Sequence, residues 1–102
     1  MKFLLTAVIF VSAFSPLAFS ADAQKGQVLY QKCIQCHGDN GEGKKSQQAP
    51  QIAGQFDWYI VKSLNDFKSG ARKNPKMMPY LKGLTQTDYE NLAAYISQMK
   101  IQ

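Results

Sequence analysis

The sequence predicts an all-α domain in which three main helices wrap around one bound group. Apolar side chains recur at helical spacing in residues 22–36, 56–69 and 86–99. Glycine- and proline-containing loops separate these segments at 38–55 and 71–84, and strand signals are weak throughout. The 82 residues from 21 to 102 bury only a marginal core by themselves, so a covalently held group would supply much of that core.

The first twenty residues are predicted to be a signal peptide that is cleaved after export. Lys2 precedes an apolar run over residues 3–14, and Ala18 and Ser20 supply small side chains at the positions that a signal peptidase reads. The run is too short to span a bilayer, although an uncleaved anchor is the alternative. We therefore expect a periplasmic domain of residues 21–102 without a membrane span.

The first two predicted helices carry distinct markers. Gly26 lies inside the helix predicted over 22–36, where glycine costs roughly 1 kcal/mol relative to alanine. A close approach of another helix would compensate for this cost, and fraying of the first turn is the alternative. The helix predicted over 56–69 should end at Gly70. Its apolar stripe consists of Phe56, Tyr59, Ile60, Leu64 and Phe67.

The last predicted helix, residues 86–99, has the strongest start signal. Thr85 followed three residues later by Asp88 is typical of a helix N-terminus at which two side chains cap backbone amides. The helix should pack on the others through a continuous apolar face. That face consists of Tyr89, Leu92, Ala93, Ile96 and Met99.

Both cysteines and the only histidine stand together as Cys33-Ile34-Gln35-Cys36-His37. Thiols at i and i+3 on one helical turn project from the same side, so each sulfur can bond one vinyl group of a single porphyrin. The imidazole that follows can bind the iron from one face. The motif therefore predicts one covalent haem c, held by Cys33 and Cys36, with His37 as the proximal iron ligand.

Other uses of the cysteine pair are weighed against this interpretation. A structural zinc site needs four ligands, and the sequence holds three Cys and His residues in total. A thioredoxin-like site would follow a strand in a βαβ pattern, and none precedes Cys33. A thiol redox site and a plain disulfide stay open, although a disulfide would leave His37 unexplained.

The iron has a second axial position, and the sequence contains no second histidine to fill it. Met99 falls on the apolar face of the last helix, whereas Met77 and Met78 lie in a proline-bounded loop. A thioether in that loop has a clear purpose if it binds iron, and His/Met ligation would raise the reduction potential. The alternatives are a lysine ligand, or a surface methionine pair beside an open iron.

The chain resembles a small bacterial class I cytochrome c, and also one half of the related two-haem proteins. The likeness covers nearly all of residues 22–99 and implies the cytochrome c fold, in which the N- and C-terminal helices cross. It runs through Gly26…Tyr30…Cys33-x-x-Cys36-His37-Gly38, Pro50-x-Ile52-Ala53-Gly54-Gln55-x-x-x-Tyr59, Leu64-x-x-Phe67-x-x-Gly70-x-Arg72, Met77-x-Pro79…Leu84-Thr85 and Leu92-Ala93-Ala94-Tyr95-Ile96.

This resemblance also implies roles for single residues. Met77 matches the distal iron ligand, because it stands two residues before Pro79, and Met78 is the runner-up. Pro50 matches the proline whose carbonyl oxygen accepts the other N–H of the proximal histidine. The resemblance also implies that Gly26 and Tyr30 of the first helix pack against Leu92 and Tyr95 of the last helix. Four further residues are implied to bond the haem propionates, namely Arg72, Gln55, Trp58 and Tyr59.

Together these features predict a periplasmic one-electron carrier rather than an enzyme, with a low-spin His/Met-ligated haem cycling between Fe(II) and Fe(III). Its partners would be oxidases, reductases or other cytochromes that dock transiently. The alternatives are a gas-binding or sensing module with a displaceable methionine, and a catalytic thiol protein.

Charge adds a further expectation about the partner. The sequence has a formal net charge of +5, and residues 21–102 without Lys2 carry +4. These charges are spread out rather than forming the dense tract of a nucleic-acid binder. Five lysines would surround the exposed haem edge and steer an acidic partner, or else they are scattered solvated charges. They are Lys32, Lys44, Lys45, Lys76 and Lys82.

Overall fold

The computed structural model describes residues 5–7 and 21–101, and these residues form helices and loops without a β-strand. The helices are α1 (Ala23–Tyr30), α2 (Ile34–His37), α3 (Asp57–Ser69), α4 (Met78–Leu81) and α5 (Gln86–Ile96), with a 3₁₀ turn at Lys45–Gln47. The all-α prediction is confirmed.

In the described part of the chain, no helix has the length and apolar character needed to cross a bilayer. The predicted signal peptide, residues 1–20, falls outside the described residues apart from 5–7.

The single helix predicted over 22–36 is wrong in its extent. α1 ends at Tyr30, and the chain turns through residues 31–33 before α2 begins. The amide of Cys33 bonds to the carbonyl oxygen of Tyr30 at 2.8 Å, an i→i−3 contact that tightens the helix into a turn. Apolar spacing continues across this turn, which is why periodicity alone did not reveal it.

Helices α1 and α5 cross at Gly26, as predicted. A Cβ atom at Gly26 would overlap the backbone carbonyl of Asn91 and lie 2.9 Å from the Cβ of Tyr95. One turn later, the rings of Tyr30 and Tyr95 pack with centroids 5.5 Å apart. The Asn91 side-chain oxygen also accepts the amide of Asp22 at 2.8 Å. The absence of a side chain at Gly26 therefore allows the two backbones to touch.

The predicted C-terminal end of α3 and the predicted start of α5 agree with the structure, and α3 begins at Asp57, one residue later than predicted. Gly70 follows α3 with φ +82°, a left-handed conformation that glycine adopts without strain. At α5, the Thr85 hydroxyl accepts the amide of Asp88 at 3.1 Å, and the Asp88 carboxylate accepts the amide of Thr85 at 2.9 Å. α5 ends at Ile96 rather than at residue 99, because the next residues wind into turns.

The two predicted loops contain short helical elements. α4 forms inside the segment 71–84 that was predicted to be irregular, with Pro79 in its first turn. Proline is tolerated there because its missing N–H would have no partner within the helix. The other loop, 38–55, holds the 3₁₀ turn at Lys45–Gln47. Glycine and proline in these segments are therefore compatible with short helical turns.

Among the described residues, one hydrophobic core joins α1, α3, α4 and α5. Its members are Tyr30, Ile60, Leu64, Phe67, Leu81, Tyr89, Leu92, Ala93 and Ile96. The stripe predicted for α3 is buried only from Ile60 onward, since Phe56 is 67% exposed and Tyr59 is 39% exposed. Phe56 is the cap residue that precedes α3, so its side chain lies off the helix face. Met99 packs partly buried against the core.

Candidate functional site

A cavity of about 380 Å³ lies between the helices and the two loops. This volume falls in the range typical of cofactor pockets, about 300–1,000 Å³. Cys33, Cys36, His37 and Met77 all line it. The helices α3, α4 and α5 contribute apolar side chains to the lining, namely Ile60, Leu64, Phe67, Leu81, Leu92 and Ile96. The sequence motif, the methionine loop and the core therefore meet at one site.

His37 is buried and held at both its ring and its backbone. Its Nδ1 lies 2.9 Å from the carbonyl oxygen of Pro50. A carbonyl oxygen only accepts hydrogen bonds, so Nδ1 carries the proton and Nε2 of the neutral ring has a free lone pair. The His37 carbonyl accepts the amide of Gly43 at 2.7 Å, and the His37 amide donates to the carbonyl of Cys33 at 2.8 Å. The ring is thus oriented in the tautomer that a metal ligand needs.

The turn after His37 is built on glycines. Gly38 has φ +88°, and a Cβ atom there would overlap the carboxylate of Glu42. The Gly38 carbonyl accepts the hydroxyl of Tyr30 at 2.6 Å, which ties the turn to α1. Further along, the Gly41 carbonyl accepts the amides of Ile52 and Ala53 at 2.9 and 3.0 Å. The loop is therefore folded back on itself with Pro50 facing His37.

Both cysteines are partly buried, and they are not joined to each other in a disulfide. Burial raises the pKa of the Cys33 thiol to about 11, and the neighbouring Cys36 contributes in the same direction. A catalytic cysteine needs a lowered pKa so that the thiolate forms near neutral pH. The environment of Cys33 therefore does not favour the thiol-enzyme alternative.

The two adjacent methionines have different surroundings. Met77 lines the cavity, whereas Met78 lines a separate surface pocket beside Lys73 and Pro75. Both backbone amides bond to the carbonyl of Asn74 at 3.2 Å. Of the two methionines that the sequence offered as distal ligand, Met77 is the one that shares a cavity with His37.

The polar residues assigned to propionate binding are only partly brought together. Gln55, Tyr59 and Arg72 line the cavity, and the Arg72 guanidinium lies 4.6 Å from the ring centroid of Phe67. Trp58 is 62% exposed, stacks on Phe56 at 6.1 Å, and is not among the lining residues. Sequence reasoning missed Tyr80 and Asn74, which also line the cavity. Tyr80 follows Met77 by three residues, so helical spacing could have identified it.

The residues present suit a covalently attached haem. Two thiols one helical turn apart, an imidazole with a free Nε2 and a thioether border the same apolar cavity. Thioether links need such a thiol pair, and haem iron binds imidazole and thioether ligands. The cationic and amide groups among the lining residues can pair with carboxylates of the porphyrin.

Comparison with known proteins points in the same direction. The family model described as cytochrome c matches residues 23–100. Cytochrome c-553 of Helicobacter pylori is 36% identical over 90 residues, which cover 88% of this chain and 91% of that protein. The thiosulfate dehydrogenase electron acceptor of Stutzerimonas stutzeri is 34% identical over 92 residues, covering 81% of this chain and 43% of that protein.

A solved structure is also similar. Cytochrome c4 of Acidithiobacillus ferrooxidans superimposes with a TM-score of 0.71 at 31% identity, covering 78% of this chain and 50% of that one. The chain thus spans about half the length of several relatives that it matches.

Proposed function

Because the chain belongs to the cytochrome c family, we propose that it is a periplasmic one-electron carrier whose haem iron is bound by His37 and Met77. Proteins of this family transfer electrons with a covalently attached haem c, and the predicted fold and cofactor are confirmed at that level. The axial ligands, the compartment and the partners are the proposed part. The observation that supports the ligands is that His37 and Met77 line the same cavity.

The protein residues would tune the cofactor from several sides. Haem c, when bound, supplies a one-electron couple between Fe(II) and Fe(III). His37 would bind the iron through Nε2, and its bond to the Pro50 carbonyl would increase the electron donation of the ring. The thioether of Met77 would be the second iron ligand, and a thioether ligand favours the ferrous state and raises the potential. If His37 and Met77 both bind the iron, no coordination site would remain for a substrate, so we propose a carrier rather than an enzyme.

Cys33 and Cys36 would hold the porphyrin through two thioether bonds. Intact mass spectrometry of the purified protein should show the chain plus one full haem, and no thiol should react under denaturing conditions. A chain of unmodified mass with two reactive thiols would contradict the attachment.

Matched variants of the methionine pair test the axial ligation. We expect Met77→Ala to abolish the long-wavelength absorption band of sulfur-bound ferric haem and to lower the reduction potential by roughly 100 mV or more. The ferrous Met77→Ala protein should then bind carbon monoxide rapidly.

Met78→Ala should retain the band, since Met78 lies outside the cavity. Retention of the band in both variants would contradict methionine ligation, and rapid carbon monoxide binding by the wild type would favour a gas-binding module.

Export follows from the predicted signal peptide. Cleavage before Ala21 should leave a protein whose N-terminal sequence begins Ala-Asp-Ala, which N-terminal sequencing of the periplasmic fraction can check. A protein that retains residues 1–20 and sediments with membranes would contradict this part of the proposal.

The partner would be another redox protein. One relative is named as the electron acceptor of an enzyme, thiosulfate dehydrogenase, which illustrates the role that we propose for this chain without identifying its donor. Lys32, Arg72 and Lys76 line the cavity and are exposed. Positive groups at this position would attract an acidic docking surface.

A further inference from the structure

We propose that Tyr89 is a positioning residue for the methionine ligand, because its buried hydroxyl holds the methionine-bearing segment against α5. The methionine-bearing segment is defined as residues 74–84. This inference rests on the proposed binding of iron by Met77 and concerns how firmly that ligand is retained.

The contact joins two buried groups. Tyr89 is fully buried, and its hydroxyl donates to the carbonyl oxygen of Leu81 at 3.2 Å. Leu81 is the last residue of α4, is 4% exposed and lines the cavity with Met77. Leu81 and Met77 are one helical turn apart, and within that turn the amide of Tyr80 donates to the carbonyl of Met77 at 3.0 Å. A displacement of Leu81 is therefore transmitted through one short turn to Met77.

No other hydrogen bond links this segment to its surroundings among the residues that the structure describes. The amides of Met77, Met78, Tyr80, Lys82 and Leu84 all bond to carbonyls within residues 74–84. The amide of Lys76 likewise bonds to the side chain of Asn74. The remaining attachments of the segment are apolar contacts, which resist sliding less than a directional bond does.

The histidine side is held much more redundantly. The His37 ring bonds to Pro50, the His37 carbonyl to Gly43, and the Gly38 carbonyl to the hydroxyl of Tyr30. Tyr30 and Tyr89 are the two largest fully buried side chains of the described residues. Each hydroxyl donates to a backbone carbonyl eight residues away in the sequence. Tyr30 bonds to Gly38, next to the proposed ligand His37, and Tyr89 bonds to Leu81, in the segment that carries the proposed ligand Met77. Loss of one bond should therefore matter more on the methionine side.

The surroundings of Tyr89 keep its hydroxyl a donor. Burial, with a contribution from the neighbouring Asp88, raises the pKa of Tyr89, so the phenol stays protonated. The Lys68 ammonium group lies 5.7 Å from the centroid of the Tyr89 ring and helps to fix the ring in place.

Imidazole binding to the ferric holoprotein tests the proposal. Imidazole can enter only when the methionine has left the iron, so its apparent affinity scales with the population of that open state. Removing the hydroxyl in Tyr89→Phe should increase the open population, and hence the imidazole affinity, about fivefold. The sulfur-bound band should remain present without imidazole.

Two matched variants serve as controls. Tyr95→Phe makes the same change on the same helix, at a tyrosine whose hydroxyl has no hydrogen bond within the described part of the chain. Its imidazole affinity should equal that of the wild type. Tyr30→Phe removes a comparable buried bond on the histidine side, so it should lower stability without increasing imidazole affinity. An unchanged affinity in Tyr89→Phe, or an equal rise in all three variants, would overturn the proposal.

The outcome separates this inference from the proposed ligation. A wild-type protein without the sulfur-bound band would contradict both, whereas a normal band with an unchanged Tyr89→Phe affinity contradicts the inference alone. If Tyr89→Phe fails to accumulate, amide hydrogen exchange in the wild type decides. The amides of Lys82 and Leu84 should then exchange faster than that of Gly43, and equal protection would overturn the proposal.

Discussion

The imidazole of His37 donates from Nδ1 to the carbonyl oxygen of Pro50 across 2.9 Å. The two residues are thirteen positions apart, and the intervening loop is closed by the bonds of Gly41 to Ile52 and Ala53. The loop therefore acts on the proposed iron ligand through one directional contact. Since such a contact makes the ring a stronger electron donor, its strength should be visible in the reduction potential.

Loosening that loop should raise the reduction potential. Pro50→Ala keeps the carbonyl but frees the backbone, so the bond to His37 weakens and the ferric state loses more stabilisation than the ferrous state. We expect an increase of about 30 mV, where 59 mV corresponds to a tenfold change for one electron. Spectroelectrochemical titration measures it. A fall in potential for Pro50→Ala would contradict the argument.

Substitution at the helix crossing should be strongly destabilising. In Gly26→Ala, the new methyl group would overlap the carbonyl of Asn91, which is backbone and cannot move aside cheaply. We expect a loss of about 3 kcal/mol in the free energy of unfolding, measured by guanidinium denaturation of the holoprotein. Gly83→Ala is the matched control, because its Cβ atom would meet nothing within 4 Å. A destabilisation by Gly83→Ala as large as that by Gly26→Ala would rule out the close approach as the cause.

The start of α5 offers a second matched pair. Thr85→Ala removes the hydroxyl that accepts the amide of Asp88, so we expect a loss of about 1 kcal/mol in the free energy of unfolding. Thr87 lies inside α5 and is exposed, and alanine has the higher helix propensity, so Thr87→Ala should be neutral or slightly stabilising. Thermal denaturation of both variants measures the difference, and equal effects would contradict capping by Thr85.

Sequence alone predicts a structural feature when a single residue or a short motif is enough to specify that feature. Gly26 and Thr85 were identified from the sequence, because a mid-helix glycine favours a close helix crossing and a capping pair favours a helix start. The break after Tyr30 was not identified, since apolar spacing continues through the turn. α4 was not identified either, because proline is compatible both with a loop and with the first turn of a helix.

The sequence predicts the chemistry of the candidate site but not all of its geometry. The Cys-x-x-Cys-His spacing carries the chemistry of attachment within five residues. Which of Met77 and Met78 faces the cavity depends on the conformation of residues 74–84. Tertiary packing sets that conformation, and a shift of one residue along the segment would exchange the two methionines. The exposure of Trp58 was equally beyond the sequence, because an aromatic near a helix start can face either way.

The positive residues that line the cavity should control reactions with charged redox reagents. Lys32 and Lys76 both line the cavity and are exposed. At low ionic strength we expect the reduced protein to react faster with the anion ferricyanide than with a cationic cobalt complex of similar potential. Added salt should slow the first reaction and accelerate the second, because the Debye length shrinks to about 8 Å at 0.15 M.

Charge-neutralising variants should locate the effect on the protein surface. Lys76→Gln should slow oxidation by ferricyanide two- to fivefold at low ionic strength, while leaving the cobalt reaction unslowed. Lys25 is exposed on α1 and is not among the residues that line the cavity, so Lys25→Gln should change neither rate appreciably. Stopped-flow kinetics measure both reactions, and the reduction potential of each variant corrects for driving force. Equal slowing by the two substitutions would mean that overall charge, rather than the lysines at the cavity, governs the encounter.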